Sequence, residues 1–522
     1  MQKIWNKFYL YVTSYKMVNG NSKIRGRKPK YPLYKYQKEH VSRINNIFKN
    51  RPAVVDTSDT GSGKTRCSAC LAKLRRFDHV VVICPKSVRC DWWQNFKKIN
   101  YDDKLLTITN FDTLKAKNIT DGSTKWFPLD SKPKTEEEFL SIKPTQCLYM
   151  TKGDKEYKCT FPENTLYIID EFHKCKSVSS YNFKMINAIK QRISNDKTNK
   201  SKLLLLSFTP IEKKSDEKVL FYLLDYIINP DAKLVPRFYR KLKKYFRMGR
   251  KDPITSFHVH DYLSKSPEKT LVKMNISSYF QEKGFVIKNI IKNLYNNASD
   301  ADFEKINNLS KKYNELNTKL KNGEDYNLIQ LMQKTLQEIE KIKSNYIILK
   351  AMEVLEDGDK NHVIIFVNYR RTLHYISDKL KDFNPSKLYG DPKNNNRLES
   401  KRFNEDDFNK EGKTRVIIST IGSGATGISL HDTAGDKKRF VFISPSSSSA
   451  TLIQQSLGRA FRVGTKSDVH QYFIFTKNDK YENENYESIL AKTVSKKLEY
   501  IKQLRDNPGQ HLNGEYKYID DI

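Results

Sequence analysis

Three things are scarce in this chain, and each scarcity removes a class of protein. Long apolar runs are missing: no stretch approaches the ~20 apolar residues that a helix needs to cross a bilayer. The apolar N-terminal patch (Trp5, Phe8, Tyr9, Leu10, Tyr11, Val12) is broken by Lys7 and has no small-residue cleavage site after it, unlike a secretory leader. Cysteine is sparse and one-sided. The seven residues Cys67, Cys70, Cys84, Cys90, Cys147, Cys159 and Cys175 all lie in the first third, and an odd number does not read as a disulfide framework. Cys67 and Cys70 form a CxxC, but no second pair follows at zinc spacing. Reduced thiols in an intracellular compartment are the expectation: the cytoplasm, with a viral factory or virion included, or the nucleus. Acidic residues are in deficit. Asp+Glu number 60 against 94 Lys+Arg, a net charge of +34. Such an excess speaks of partners rather than of fold. Phosphate backbones are the commonest polyanions that fit it, with an anionic membrane surface as the alternative.

What is present is a long chain with enough apolar material for several cores. Its 522 residues imply two to four domains. Hydrophobic residues make up 38%, helped by 30 Tyr and 27 Phe, while charged residues make up 30%. Residues 1–30 end in a basic stretch, Ser22 to Lys30, that reads as a flexible arm; Arg25-Gly26-Arg27 suits a minor groove or a solvated linker. From 31 to 230, continuous apolar runs alternate with helical segments: Ala53–Val55, Val80–Cys84, Leu105–Ile108, Leu166–Ile169 and Leu203–Leu206. Continuous runs suit buried parallel strands, and the alternation implies an α/β sheet. Within it, 119–163 reads as an inserted piece with a hairpin, Leu148–Met150 and Tyr157–Phe161 about Gly153-Asp154. Residues 231–345 break the pattern and read as a basic, helical insertion. It opens with Arg237–Lys251 and closes with a helical hairpin about Asn322-Gly323. From 346 to 480 the α/β pattern returns, with strands at Val363–Val367, Arg415–Ser419, Phe440–Ile443 and Tyr472–Phe475. Residues 481–522 read as a charged helix and tail.

Three motifs carry chemistry. The first is Val54-Val-Asp-Thr-Ser-Asp-Thr60-Gly61-Ser62-Gly63-Lys64-Thr65, a strand running into a glycine loop and then a helix. Glycines let backbone N–H groups wrap phosphates, Lys64 reaches the β/γ oxygens, and Thr65 holds Mg²⁺. Ser58 replaces the first glycine of the full P-loop pattern. The second is Leu166-Tyr-Ile-Ile-Asp170-Glu171-Phe172-His173. It puts two carboxylates at the C-terminal tip of a buried strand, where α/β sheets place their sites. Asp170 can hold Mg²⁺ and Glu171 can polarise an attacking water, whereas two adjacent acids without a cation repel one another. The third is Gln455-Ser-Leu-Gly458-Arg459-Ala-Phe-Arg462. Three apart on a helix, Arg459 and Arg462 share one face. Arginines supplied to a γ-phosphate are worth about 10³–10⁵ in rate.

Together these motifs resemble a helicase superfamily two ATPase of the DExH type, over residues 31–480. The implied fold is α/β: two RecA-like parallel-sheet lobes in tandem, lobe 1 at 31–230 and lobe 2 at 346–480, with a mostly helical insertion between them. In the resemblance motif I is Ser58–Thr65, motif II Asp170–His173 and motif VI Gln455–Arg462. Motif III is similar to Ser207-Phe208-Thr209-Pro210, with Phe208 bulkier than the family's small residue. Motif V is similar to Thr420 through Gly424 and Gly427 to Leu430. Leu33–Gln37 resembles the adenine-reading Q motif, with Gln37 its glutamine. Pro85 and Lys86 with Trp92-Trp93 resemble motif Ia, Thr109 to Leu114 motif Ib, and Val363 to Arg370 with Asn368 motif IV. The stretch Gly427–Asp432 followed by Gln-Gln-x-x-Gly-Arg-x-x-Arg is similar to Swi/Snf-like and strawberry-notch-type proteins and to helicases of large DNA viruses.

The resemblance implies ATP and Mg²⁺ on lobe 1, bound through Gln37, Thr60 to Thr65 and Asp170. Gly427 lies on the nucleotide side of lobe 2, and Arg459 and Arg462 arrive from that lobe. His173, Ser207, Thr209 and Gln455 would couple hydrolysis to the track. Pro85, Lys86, Thr109, Asn368, Thr420 and Gly424 would line the nucleic acid, DNA in preference to RNA, with transcription or replication proteins as further partners and no membrane. Two rival readings from other classes, and one variant of the same class, stand beside it. A P-loop kinase would need neither motif VI nor a second lobe. A catalytically dead scaffold would not need intact Lys64, Asp170, Glu171 and Arg462. An ATPase subunit of a viral transcription complex, without strand unwinding, fits the same residues.

Overall fold

The computed structural model describes residues 33–115, 119–120, 147–151, 156–175, 177–208, 214–228, 235–249, 251–254, 256–297, 299–321, 327–391, 393–404, 414–425, 427–445, 450–477, 487 and 489–495. The basic arm, the Gly153-Asp154 and Asn322-Gly323 turns, Thr209-Pro210 and most of the C-terminal segment lie outside the described residues. The chain divides into two compact units, Met1–Tyr279 and Phe280–Ile522.

The first unit is built on a six-stranded sheet of β1 (Ala53–Asp56), β2 (His79–Ile83), β3 (Leu106–Thr109), β7 (Thr165–Asp170), β8 (Lys202–Leu206) and β9 (Leu271–Val272). Their order is β3-β2-β7-β8-β1-β9, and every pairing is parallel. β1, β2 and β8 are buried at every residue, as a sheet covered on both faces requires. Successive residues pack into opposite cores. Val55, Val81, Ile83, Tyr167, Ile169 and Leu205 belong to one cluster, and Val54, Val80, Val82, Ile168, Leu204 and Leu206 to the other. The second cluster is closed by α1 (Lys35–Ile47), α2 (Lys64–Arg75) and α3 (Arg89–Lys98), through Val41, Ile44, Leu71, Trp92 and Phe96. The first is closed by α4 (Tyr181–Ser194), α5 (Lys214–Leu223), α6 (Val235–Tyr245) and α7 (Ser256–Lys265). Ser180 caps α4 by accepting the Phe183 N–H at 3.1 Å. In the inserted piece, β4 (Ile119–Thr120), β5 (Leu148–Thr151) and β6 (Tyr157–Cys159) form a separate sheet in which β5 and β6 are antiparallel, as a hairpin demands.

The second unit holds a six-stranded sheet in the order β10-β15-β14-β11-β13-β12, again parallel throughout. Its strands are β10 (Asn289–Asn297), β11 (His362–Val367), β12 (Ser386–Leu388), β13 (Val416–Thr420), β14 (Arg439–Ile443) and β15 (Val469–Lys477). Helices α8 (Asp300–Lys321) and α9 (Asn327–Asp357) precede β11; α10 (Arg370–Lys379), α11 (Asn396–Asn404) and α12 (Ala450–Ala460) complete the layers. Residues facing opposite ways again sort into two cores, Ile364, Phe366, Ile417 and Val441 in one and Val363, Ile365, Val416 and Ile418 in the other.

The stretch 231–345 is not a free-standing helical body. α6 and α7 pack through Phe238, Leu242, Val259 and Tyr262 into the core of the first unit, and β9 extends that unit's sheet. β10 pairs with β15 over nine residues in the second unit, and α9 runs on to Asp357 to bury Ile347, Ala351 and Leu355 there.

Candidate active site

The glycine loop follows from β1 and α2. β1 ends at Asp56, the chain turns through Gly61 (φ +78°) and Gly63 (φ +99°), and α2 starts at Lys64, leaving Thr65 in its first turn. Left-handed backbone at Gly63 suits glycine alone, and a Cβ there would collide with the Gln37 amide. The first-turn N–H groups of α2 point out of its N-terminal end, an arrangement that suits an anion. Lys64 Nζ folds back onto the loop, donating to the Ser58 carbonyl at 2.7 Å and the Asp59 carbonyl at 3.1 Å. Thr60 Oγ1 is buried without a hydrogen-bond partner among the described residues.

The loop is braced from three sides. Ser62 Oγ donates to the Asp59 carbonyl at 2.8 Å. Gln37 is 1% exposed and sits at the third position of α1. Its Oε1 accepts the Tyr34 N–H at 3.1 Å, the return half of a capping box. Its Nε2 donates to the Ser62 carbonyl at 3.0 Å and to Tyr36 Oη at 3.2 Å. The amide thus ties the start of α1 to the loop. Ser58, the replacement for the missing glycine, is fully buried. Its hydroxyl donates to Asp56 Oδ1 and accepts the Met274 N–H at 2.8 Å. Asp59 Oδ2 accepts the Ile276 N–H at 2.9 Å. Behind the loop, His40 Nε2 meets Asp56 Oδ2 at 2.8 Å in the interior. Burial pushes Asp56 up, but His40, Lys64 and Ser58 together outweigh it and hold the carboxyl below its usual range.

The two acids sit at the tip of β7. Asp170 Oδ2 accepts Trp92 Nε1–H at 2.9 Å and its Oδ1 accepts the Glu171 N–H at 3.0 Å. Burial, and then the neighbouring Glu171 charge, push the Asp170 carboxyl up to about 6, against the Trp92 bond and Lys64. Glu171 has φ +56°, a left-handed backbone that a non-glycine residue adopts at a cost of about 1–3 kcal/mol. Its Oε2 lies 3.1 Å from His173 Nδ1, which is also 3.4 Å from Ser207 Oγ. Motifs II and III are thus in contact through His173, while Thr209 lies outside the described residues. Phe208 is buried, so the bulky residue fills core. Cys67 and Cys70 lie inside α2 with thiols pushed up by burial, Cys70 to about 11.

The residues expected along a nucleic-acid track divide. In the first unit Lys86 is exposed and Pro85 half-buried, where a short turn leaves β2. Thr109 is buried at the end of β3, its Oγ1 without a hydrogen-bond partner among the described residues. In the second unit Thr420 is buried at the start of the turn 421–424, and Gly424 is packed so that a Cβ would strike Ser419 Oγ. Close packing against Ser419 and Phe366 thus leaves no room for a side chain at Gly424. Asn368 Nδ2 donates to Glu340 Oε1 at 2.6 Å and the Ser444 carbonyl at 2.7 Å, and Glu340 also accepts the backbone N–H groups of Asn368 and Tyr369. Its amide donors are committed to its own unit.

Motif VI also differs from the helical expectation. α12 ends at Ala460, so Arg459 lies on the helix and Arg462 beyond it, in a turn completed by Gly464 (φ +98°). They converge nonetheless. Arg459 Nη1 and Arg462 Nη1 donate to the same Ile428 carbonyl, at 3.1 and 3.2 Å. Arg459 Nη2 reaches the Ala425 carbonyl at 2.7 Å, and Arg462 Nη1 reaches Ser429 Oγ at 2.6 Å. Both arginines straddle motif V just past Gly427 (φ +76°). Arg459 is 8% exposed and serves this internal tie; Arg462 is the more open of the two. Gln455 is buried, its Nε2 without a partner among the described residues. Sequence reasoning missed Trp92 as an Asp170 partner, Ser58 as a latch, and Glu340; Trp92, noted beside motif Ia, and Ser58, noted in place of a glycine, carried a signal, and Glu340 carried none.

The comparisons with known proteins follow the same division. Residues 30–212 match the family model for the type III restriction enzyme res subunit, and residues 344–464 match the helicase conserved C-terminal domain. A protein of Acanthamoeba polyphaga mimivirus, provisionally named as an ATP-dependent RNA helicase, is 30% identical over 504 residues, covering 91% of this chain and 84% of that one. The Sulfolobus solfataricus SWI2/SNF2 ATPase core, solved in complex with dsDNA, aligns over 86% of this chain and 90% of its own at 16% identity, with a TM-score of 0.32, too loose to bear on function. The chain belongs to the superfamily two helicases: an ATP-dependent helicase, and so an ATP hydrolase.

Proposed function

We propose that this helicase works as a translocase on DNA, and that Lys64, Thr65, Asp170, Glu171 and Arg462 carry its ATP hydrolysis. The observation that carries the reading is the continuous contact Glu171–His173–Ser207 beside the P-loop, since it joins the group that would orient water to the motif expected to report on the track. Lys64 leaves the Ser58 and Asp59 carbonyls for phosphate oxygens, a stronger, charge-assisted exchange. Glu171, held by His173, is the base that orients the attacking water. Thr65 and Asp170 fit Mg²⁺: Asp170 is a carboxylate made reluctant to ionise by burial beside a second acid, which a cation relieves. When bound, the ion would neutralise phosphate charge as it shifts to the leaving group. Arg462, half-open beside Gly427, is the finger, and Arg459 is a positioning residue that holds motif V.

DNA is favoured by the Gly427–Asp432 pattern and its likeness to Swi/Snf-type and large-virus proteins; the mimivirus relative's name favours RNA. Steady-state ATPase with single-stranded DNA, duplex DNA and RNA, against Glu171→Gln, decides between them. Stimulation by DNA, lost in the variant, is the expected result. Stimulation by RNA alone replaces the substrate, and turnover indifferent to every polymer refutes a nucleic-acid motor.

A further inference from the structure

We infer that α6 is a second nucleic-acid contact, a cationic ridge that binds the sugar-phosphate backbone without reading bases; this rests on the nucleic-acid reading above. α6 is sharply two-sided. Phe238 and Leu242 are buried in the core, Tyr239 Oη donates to Glu217 Oε2 at 2.6 Å, and Phe246 just beyond the helix packs against His258. The aromatic residues of this stretch are thus mostly consumed by docking. The opposite face carries Arg237, Arg240 and Lys244, all exposed, with exposed Arg247 after the helix end. Spaced by three and four residues, the three helical cations point the same way. They span about 10 Å of helix axis, the rise of about three phosphates on one strand.

Helix stability does not account for this ridge. The first turn of α6 holds no acidic residue, and Arg237 stands there instead, where the positive end of the helix disfavours a cation. Like charges three and four apart repel. Lys241, on the ridge's flank, is neutralised by Glu268 at 2.6 Å, whereas Arg237, Arg240 and Lys244 meet no acidic side chain among the described residues. Three uncompensated cations fixed on a rigid helix complement a regularly spaced polyanion. The net charge of +34 supplies the long-range attraction.

The test is a salt titration of nucleic-acid binding by the full chain, comparing Arg237→Gln/Arg240→Gln/Lys244→Gln with a control that removes equal charge from α8, Lys305→Gln/Lys311→Gln/Lys319→Gln. Three phosphate contacts contribute about 2–3 to the slope of log K on log salt, hence about 50- to 150-fold in affinity at 0.15 M salt. The ridge variant should lose that much on every sequence tried, with ATPase measured without nucleic acid unchanged, and the control should move less than about threefold. Equal losses in both variants, or none in either, overturn the ridge. So does loss of binding to phosphatidylserine vesicles with nucleic-acid affinity intact, which assigns the helix to a membrane surface. If the wild type binds no nucleic acid at all, the functional reading has failed and takes the ridge with it; wild-type binding matched by the ridge variant sinks the ridge alone.

Discussion

Replacing Asp170 by Asn should make the resting protein more stable while abolishing its ATPase, and the gain should depend on pH. The carboxyl is raised from 3.8 to about 6 by burial and by Glu171. A group whose pKa is raised on folding contributes stability below its unfolded pKa and loses that contribution as pH rises through its folded pKa. Above pH ~6 the ionised Asp170 therefore burdens the folded state by about 3 kcal/mol, and at pH 5 by about half as much. Asn removes the charge but offers one acceptor oxygen where Trp92 Nε1–H and the Glu171 N–H now find two, a loss of about 1–2 kcal/mol. The balance at pH 8 is a net gain of about 1–2 kcal/mol, falling to about zero at pH 5. Trp5, Trp92, Trp93 and Trp126 are the only tryptophans and all precede residue 280. Urea unfolding followed by tryptophan fluorescence thus isolates the first unit. A variant less stable than wild type at pH 8, or a difference of the same size at both pH values, would refute charge burial as the origin of the shift.

Gly63→Ala should abolish nucleotide binding and destabilise the first unit by about 1–3 kcal/mol. Adding Gln37→Ala should restore part of the stability but not the binding, by thermal shift and fluorescent-nucleotide titration, because the φ of +99° persists once the collision is gone. Glu340→Ala removes one acceptor of the Asn368 side-chain amide, which keeps its bond to the Ser444 carbonyl, and strands two backbone N–H groups; it should destabilise the second unit by about 3–5 kcal/mol, read by hydrogen exchange in β11. Lys343 and Glu487 form a buried pair at 3.0 Å. Lys343→Met alone should cost about 3–5 kcal/mol and Lys343→Met/Glu487→Leu should recover most of it, by the same exchange measurement.

Legibility in the sequence followed burial. The nine strands seen as continuous apolar runs are those covered on both faces, where almost every residue must be apolar. β9 was invisible because two residues carry no period. β10 was invisible because it lies at a sheet edge and reads Asn-Ile-Ile-Lys-Asn-Leu-Tyr-Asn-Asn, too polar for a buried strand and irregular for a helix. At the candidate site, the placement of Lys64 at a helix start and of Asp170 and Glu171 at a strand tip was legible because each follows a continuous apolar run. The partners of Gln37 and Asn368 were not, since an amide's commitments depend on which carbonyls folding brings to it. Arg459 and Arg462 were read onto one helix because the pattern ends in no proline; the break is made by Gly464, two residues past the motif.

The latch between the P-loop and the chain near residue 274 carries a consequence for biosynthesis. Ser58 and Asp59 are held by the N–H groups of Met274 and Ile276, and β1 lacks its outer neighbour until β9 exists. At ~5–20 residues per second, a ribosome needs about 10–40 s to travel from the loop to its latch. Throughout that interval the nascent loop has glycines and lysine but no fixed shape, so a growing chain should be unable to hold nucleotide, and ATP can act as a folding ligand only after Ile276 has cleared the exit tunnel.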